Sequence, residues 1–346
     1  MDNKKEQDLS QSNIETLPRM IEIDKEKQEA SWSCTIEGLK IYFPHNPYDP
    51  QREYMKKVVE ALNKKENALL ESPTGTGKTL TLLCSTLAWL RDYQEKMLEK
   101  NWGEAKPERI KIIYASRTHS QIKQMIKELN TTCYRPITSI LGSRSQYCLK
   151  PEFKSHTERQ RNAECLKARA TQQCRYWKNM PYLENAYLNK NNNSIRDIED
   201  LIEHGSSCTF CPYYYEKSLA ENADLIFMPY NYILDRKTRD HMELNFSNSI
   251  IIFDEAHNIA RLAEDGISFK LTPQNIAECQ KEVEFLLKRK DMLTICEESE
   301  LKFLISFLES FESEINKLRD NYKRKFQDLQ KSQPYFKAKS EITEIK

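Results

Sequence analysis

Two stretches of this 346-residue chain carry residue types that can do chemistry together. The first is Glu71-Ser72-Pro73-Thr74-Gly75-Thr76-Gly77-Lys78-Thr79, which follows the apolar run Ala68-Leu69-Leu70 and opens a helical one from Leu80 to Leu90. A strand that turns through glycines into a helix N-terminus gathers backbone N–H groups around a phosphate, while Lys78 supplies a point charge and Thr79 a hydroxyl for Mg²⁺. Ser72 stands where the general pattern has its first glycine, so only the Gly-Lys-Thr end fits in full. The second stretch is Asp254-Glu255-Ala256-His257, delivered by Ile250 to Phe253. Four apolar residues ending in two carboxylates place Asp254 where it can hold the Mg²⁺ that Thr79 reaches, and Glu255 where it can orient and deprotonate a water. His257 is a candidate link between cleavage and a second ligand. Together these residues predict an ATPase. Gln51, with aromatic neighbours ahead of the loop, is suited to holding an adenine.

A third set is thiols. The chain has ten cysteines, and five of them, Cys148, Cys165, Cys174, Cys208 and Cys211, stand in one arginine- and tyrosine-rich stretch. Separations of 17, 9 and 37 residues along Cys148, Cys165, Cys174 and Cys211 match neither a zinc finger nor a ferredoxin run. The Cys208-Thr-Phe-Cys211 pair suits zinc, with Cys165 and Cys174 completing a site, so spacing leaves zinc, another metal or inert thiols open. Residues 1–20 are charged throughout and no run approaches a membrane span, so the chain is expected to be soluble and intracellular, with no disulfides.

The elements that must position these groups follow from the apolar pattern. Ile110 to Ala115, Ile137 to Leu141, Leu225 to Met228 and Ile250 to Phe253 read as buried strands, and His119 to Asn130 as an amphipathic helix. This alternation predicts an α/β fold with a parallel sheet. Ser116-Arg117-Thr118-His119-Ser120-Gln121 then lies at a strand end and helix start, the sheet edge where ligands sit, with hydroxyl, amide and guanidinium groups suited to phosphodiester contact or to a polar helix cap. The rhythm breaks for roughly 80 residues after Leu141, which predicts an insertion; inside it Ser194 to Gly205 reads as a helix stopped by Gly205. Residues 1–33 read as a mobile tail. From Thr272-Pro273 the chain turns helical. Net charge is +1, but residues 101–180 carry 16 Lys or Arg against 6 Glu and no Asp, a basic patch fit for a polyanion.

Ser-Pro-Thr-Gly-Thr-Gly-Lys-Thr, Ser-Arg-Thr-His-Ser-Gln, Leu-Gly-Ser-Arg-Ser-Gln-Tyr-Cys, Met-Pro-Tyr-Asn-Tyr and Asp-Glu-Ala-His occur in that order. With them the chain resembles the XPD-like iron–sulfur DNA helicases of superfamily two, most closely the branch that regulates telomere elongation, over about Gly38 to Pro273. The resemblance implies ATP and Mg²⁺ in a cleft between RecA-like domains, and a [4Fe-4S] cluster on Cys148, Cys165, Cys174 and Cys211, with Cys208 a bystander. It implies DNA contact through Ser116, Arg117, Thr118, His119, Arg144, Tyr230 and Asn231, on a single strand and at a fork advanced 5′ to 3′. It also implies a nuclear helicase of telomere maintenance, DNA repair and recombination. The expected division is 34–141 and 221–265 as RecA-like motor domain 1, 142–220 as the iron–sulfur insertion, 266–335 as the helical start of an arch domain, and 336–346 as a tail. Motor domain 2 is not among these residues, so the chain alone is expected to unwind nothing. A non-catalytic iron–sulfur DNA-binding module and a FANCJ-like repair helicase are the alternatives.

Overall fold

The computed structural model describes residues 19–73, 75–99, 109–180, 195–242, 244–268, 272–289 and 294–332. The chain divides into two compact units, Met1–Ile267 and Ser268–Lys346.

In the first unit, β1 (Glu22–Ile23), α1 (Lys25–Ala30), β2 (Trp32–Ile36), β3 (Leu39–Phe43) and α2 (Asp49–Lys64) precede the glycine loop, and α3 (Lys78–Glu99) starts in it. β4 (Lys111–Ser116), α4 (His119–Thr131), β5 (Tyr134–Arg135) and β6 (Thr138–Ile140) follow. The insertion is built of short helices: α5 (Arg144–Tyr147), α6 (Glu158–Ala170), α7 (Arg175–Lys178), α8 (Ile198–Ser207) and α9 (Pro212–Asn222). The sheet resumes with β7 (Leu225–Pro229), and α10 (Asn231–Leu234) and α11 (Arg236–Met242) lead to β8 (Ser249–Phe253) and α12 (Ile259–Ile267).

Four strands form one parallel sheet in the order β6-β7-β4-β8, as the apolar runs predict for an α/β fold. Alternate residues serve opposite faces. Ile112, Tyr114 and Phe227 pack with Leu83 and Leu87 of α3 and Ile122, Met125 and Leu129 of α4, while Ile113, Ile226 and Met228 pack with Tyr232 and Met242. β7, with helices on both faces, is buried along its whole length. Register aligns the C-terminal ends: Ala115 lies opposite Phe253, the Asp254 N–H donates to Ala115 O at 3.0 Å, and the Tyr230 N–H donates to Ser116 O at 2.9 Å. One edge of the sheet therefore gathers Ser116, Tyr230 and Asp254.

Three expectations are corrected here. Residues 19–33 are not a tail, because Ile21 fills the core at 1% exposure, β1 pairs with β5, and Asp24 and Arg135 form a buried ion pair at 2.9 Å. Ala68 to Leu70 forms no strand; Leu69 is 91% exposed, and among the described residues β8 pairs with β4 alone. Gly205 does not stop its helix, which runs on to Ser207 with Cys208 as its C-cap. Glycine is required there for another reason, since a Cβ would lie 2.5 Å from Pro212 Cγ.

The second unit pairs α13 (Pro273–Leu287) with α14 (Ile295–Ser332). Thr272 caps α13 by accepting from the Asn275 N–H, and Ile276 and Val283 are buried. The expected terminal segment 336–346, like residues 1–18, lies outside the described residues.

Candidate nucleotide site and cysteine cavity

The glycine loop closes on itself. Gly75 and Gly77 take φ of 81° and 72°, a left-handed backbone that glycine adopts without strain. Ser72 Oγ meets Thr76 Oγ1 at 2.6 Å, Thr76 Oγ1 donates to Pro73 O at 2.9 Å, and Lys78 Nζ donates to Ser72 O at 2.8 Å. Thr74 lies outside the described residues. Lys78 and Thr79 form the first turn of α3, where free N–H groups and the helix dipole favour an anion. Gln51 is buried against this loop: its Nε2 donates to Thr76 O at 2.9 Å and its Oε1 accepts from the Tyr48 N–H at 3.0 Å. In this structure both ends of its amide are engaged in clamping the loop to Tyr48.

Asp254 leaves the end of β8, half-buried, and burial followed by repulsion from Glu255 raises its carboxyl above the usual range, against the pull of Lys78. Glu255 holds a left-handed backbone, φ 52° and ψ 50°, which costs a non-glycine residue about 1–2 kcal/mol. Its carboxylate is held from across the sheet edge, where Gln121 Nε2 donates to Glu255 Oε2 at 3.1 Å. His257 is exposed, its Nε2 3.0 Å from Asn258 Nδ2.

Three tyrosines lie within the field of Asp254. Burial first, then Asp254, raises the phenols of Tyr54, Tyr114 and Tyr230. The Tyr114 hydroxyl is fully buried beneath α3 and has no hydrogen-bond partner among the described residues.

The residues expected to contact DNA separate into two groups. Arg117, Thr118 and Asn231 are exposed and His119 is half-buried. Ser116 and Tyr230 are buried, so neither is available at a surface: Ser116 Oγ donates to Gln121 Oε1 at 2.9 Å and the Tyr230 ring packs on Phe253. Arg144 also turns inward. Its guanidinium lies 4.3 Å from the Tyr213 ring centroid and donates to Tyr214 Oη at 3.1 Å.

In the insertion, Cys148, Cys165, Cys174 and Cys211 line one cavity with Phe153, Tyr176, Trp177 and Tyr214. They come from four separate segments: Cys148 follows α5, Cys165 lies in α6, and Cys174 and Cys211 precede α7 and α9. Burial pushes the Cys211 thiol up to about 12 and raises that of Cys148. Cys208 is exposed, outside the cavity lining, with its Sγ 3.9 Å from the His204 ring nitrogens. Among the described residues no three His, Cys, Asp or Glu side chains are gathered tightly enough to hold one metal ion. Four sulfurs around a single zinc would lie about 3.8 Å apart, given Zn–S bonds near 2.3 Å.

The sequence does not point to Tyr114 or the buried Glu216 as site-bordering residues. Gln121 falls in the Ser-Arg-Thr-His-Ser-Gln run read as a phosphodiester edge or a helix cap, but its tie to Glu255 spans 134 residues and leaves no local signal.

Residues 50–168 match the DEAD/DEAH box helicase family and residues 114–276 match DEAD_2. Regulator of telomere elongation helicase 1 from Mus musculus is 40% identical over 299 residues, covering 78% of this chain and 25% of that one. The Homo sapiens protein of the same name is 43% identical over 270 residues, covering 70% and 22%, and the Caenorhabditis elegans homolog is 40% identical over 268, covering 72% and 27%. The chain spans about a quarter of the length of these curated relatives. Among solved structures it is similar to an XPD helicase, with TM-score 0.44 and 21% identity over 75% of this chain and 40% of that one, and to a truncated XPD, with TM-score 0.42 and 20% identity over 73% and 63%. The glycine loop, the acid pair and the sheet edge that carries it all fall inside the matched residues, and the chain belongs to the DEAD/DEAH box helicases.

Proposed function

We propose that these residues form the nucleotide-gripping part of an ATP-dependent, 5′ to 3′ DNA helicase that works in the nucleus in telomere maintenance, repair and recombination. Helicase chemistry is a family property; the polarity, the pathway and the location rest on the likeness to the telomere-elongation regulators. The observation that carries the reading is structural: left-handed glycines deliver Lys78 and Thr79 to the start of α3, and Asp254 leaves the end of β8 against Ala115 of the neighbouring strand, where the Lys78 charge pulls on its carboxyl. A magnesium-bound triphosphate needs just such a gathering of cation, hydroxyl and carboxylate. Glu255 is then the group that orients the attacking water, and the exposed Arg117, Thr118, His119 and Asn231 offer contacts to a single strand or fork.

The four-cysteine cavity is proposed to hold a [4Fe-4S] cluster through Cys148, Cys165, Cys174 and Cys211. The fit is supported by four thiols, brought from four separate chain segments, lining one aromatic-walled cavity. When bound, the cluster would tie four chain segments together by iron–sulfur bonds. Anaerobically purified protein should contain iron and sulfide in equal amounts with visible absorption; colourless protein with stoichiometric zinc would reject this assignment.

Lys78→Ala tests the nucleotide site. It should weaken Mg²⁺-dependent binding of a fluorescent ATP analogue at least about ten-fold, about 1.4 kcal/mol, and leave single-stranded DNA binding within two-fold. Unchanged nucleotide binding would reject the motor reading. The other reading, an iron–sulfur DNA-binding module without an engine, draws on the unpaired Ala68 to Leu70 run and predicts DNA binding with no nucleotide binding at all.

A further inference from the structure

The Gln121 side chain joins two parts of the site that the sequence keeps far apart. As the third residue of α4 it closes a capping box: its N–H donates to Thr118 Oγ1 at 3.3 Å, and its Oε1 accepts from the Thr118 N–H at 3.2 Å. The same Oε1 accepts from Ser116 Oγ at 2.9 Å. That role uses only the carbonyl end of the amide. The other end, Nε2, donates to Glu255 Oε2 at 3.1 Å. A weaker second bridge runs beside it, from Arg117 Nη1 to Asn258 Oδ1 at 3.5 Å and from Asn258 Nδ2 to Glu255 O at 3.3 Å.

Glu255 needs an outside hold, because its left-handed backbone is one that its own local sequence does not favour. The groups that keep Gln121 in place, the Thr118 N–H and hydroxyl beside Arg117, are also the exposed donors a phosphodiester would recruit. An amide N–H serves one strong acceptor well at a time. A phosphate that draws on Thr118 therefore competes with Gln121 Oε1 and frees the amide to turn, and the turn is felt at Glu255.

We propose that Gln121 is a positioning residue that couples occupancy of the Arg117–His119 edge by a single-stranded nucleic acid backbone to the placement of Glu255. This rests on the ATPase reading above and adds to it a direction of communication within one domain. Linkage makes the coupling reciprocal: bound nucleotide must change the affinity for DNA by the factor by which DNA changes the affinity for nucleotide.

The test is the affinity of the full 346-residue chain for a fluorescent oligothymidine, with and without saturating Mg²⁺ and a non-hydrolysable ATP analogue. Gln121→Glu keeps a carbonyl oxygen for the capping box but turns the donor facing Glu255 into a like charge. The native chain should show a shift of about five-fold or more between the two conditions. In Gln121→Glu that ratio should fall below about two-fold with the melting temperature retained, even though the added charge weakens DNA binding in both conditions. A ratio that survives in Gln121→Glu overturns the proposal, as does a native chain that binds both ligands without any ratio. A chain that binds neither ligand, or whose nucleotide binding ignores Lys78→Ala, overturns the ATPase reading itself and the coupling with it.

Discussion

Glu216 shows how much a single buried side chain can do outside the site. Its Oε2 accepts from the Ile140 N–H at 2.6 Å, and its main-chain oxygen accepts from Ser139 Oγ at 2.9 Å, so α9 caps the free edge of β6. Burial pushes its carboxyl up to about 7, opposed by the Ile140 hydrogen bond. The folded chain therefore keeps a proton that the unfolded chain releases above its ordinary value of 4.5. This contribution to stability is complete below about pH 4.5, declines as pH rises toward 7, and is gone above it, on the order of 3 kcal/mol in all. Glu216→Gln should remove that decline: between pH 5 and 8 the native melting temperature should fall relative to that of the variant, and parallel curves would refute the assignment. A lone glutamate amid tyrosines offers no such cue in the sequence, because burial and the Ile140 contact depend on residues 76 positions away. The placement of Lys78, Thr79, Asp254 and Glu255 was legible for the opposite reason. It is fixed by near neighbours, a turn into a helix and the end of an apolar run.

At the scale of elements, the four sheet strands and α4 could be read directly, since each is a short apolar run or a one-sided helical stripe. What could not be read was who pairs with whom. Ala68 to Leu70 has the composition of a strand but finds no partner, and Ile21 and Ile23 sit in a polar segment yet lock in place through β5 and Arg135. Gly205 illustrates the same limit. As a helix terminator it would tolerate change in the following loop, but it lies inside α8, where Pro212 at the start of α9 closes over it. Gly205→Ala would place a Cβ 2.5 Å from Pro212 Cγ and 3.1 Å from the main-chain oxygen of Phe210. Because backbone must yield, a loss of about 1–3 kcal/mol is expected, and a fall in melting temperature of several degrees. The displaced joint carries Cys211, so the variant should also retain less iron per chain; a variant with native stability would show that the α8–α9 corner gives way freely.

For the whole molecule, the near-zero net charge says little about where a polyanion would bind, and the local excess in residues 101–180 says more. The structure sorts those cations by availability. Arg161 is buried and spends its guanidinium on the carbonyls of Phe153, Lys154 and His156, Arg135 pairs with Asp24, and Arg144 is stacked on tyrosine rings. Lys154, Arg159, Lys167, Arg175 and Lys178 of the insertion remain exposed, together with Arg117 at the sheet edge. If about five of them meet phosphates, the logarithm of single-strand affinity should fall with the logarithm of salt at a slope near −3.5, at about 0.7 for each phosphate. Charge removal at Arg159 and Lys167 together should make that slope shallower by about 1.4 while leaving Mg²⁺-dependent nucleotide binding intact, because neither residue borders the glycine loop or the acid pair. A slope near zero would mean that the insertion is no backbone track, and that whatever holds the strand does so by stacking on aromatic faces.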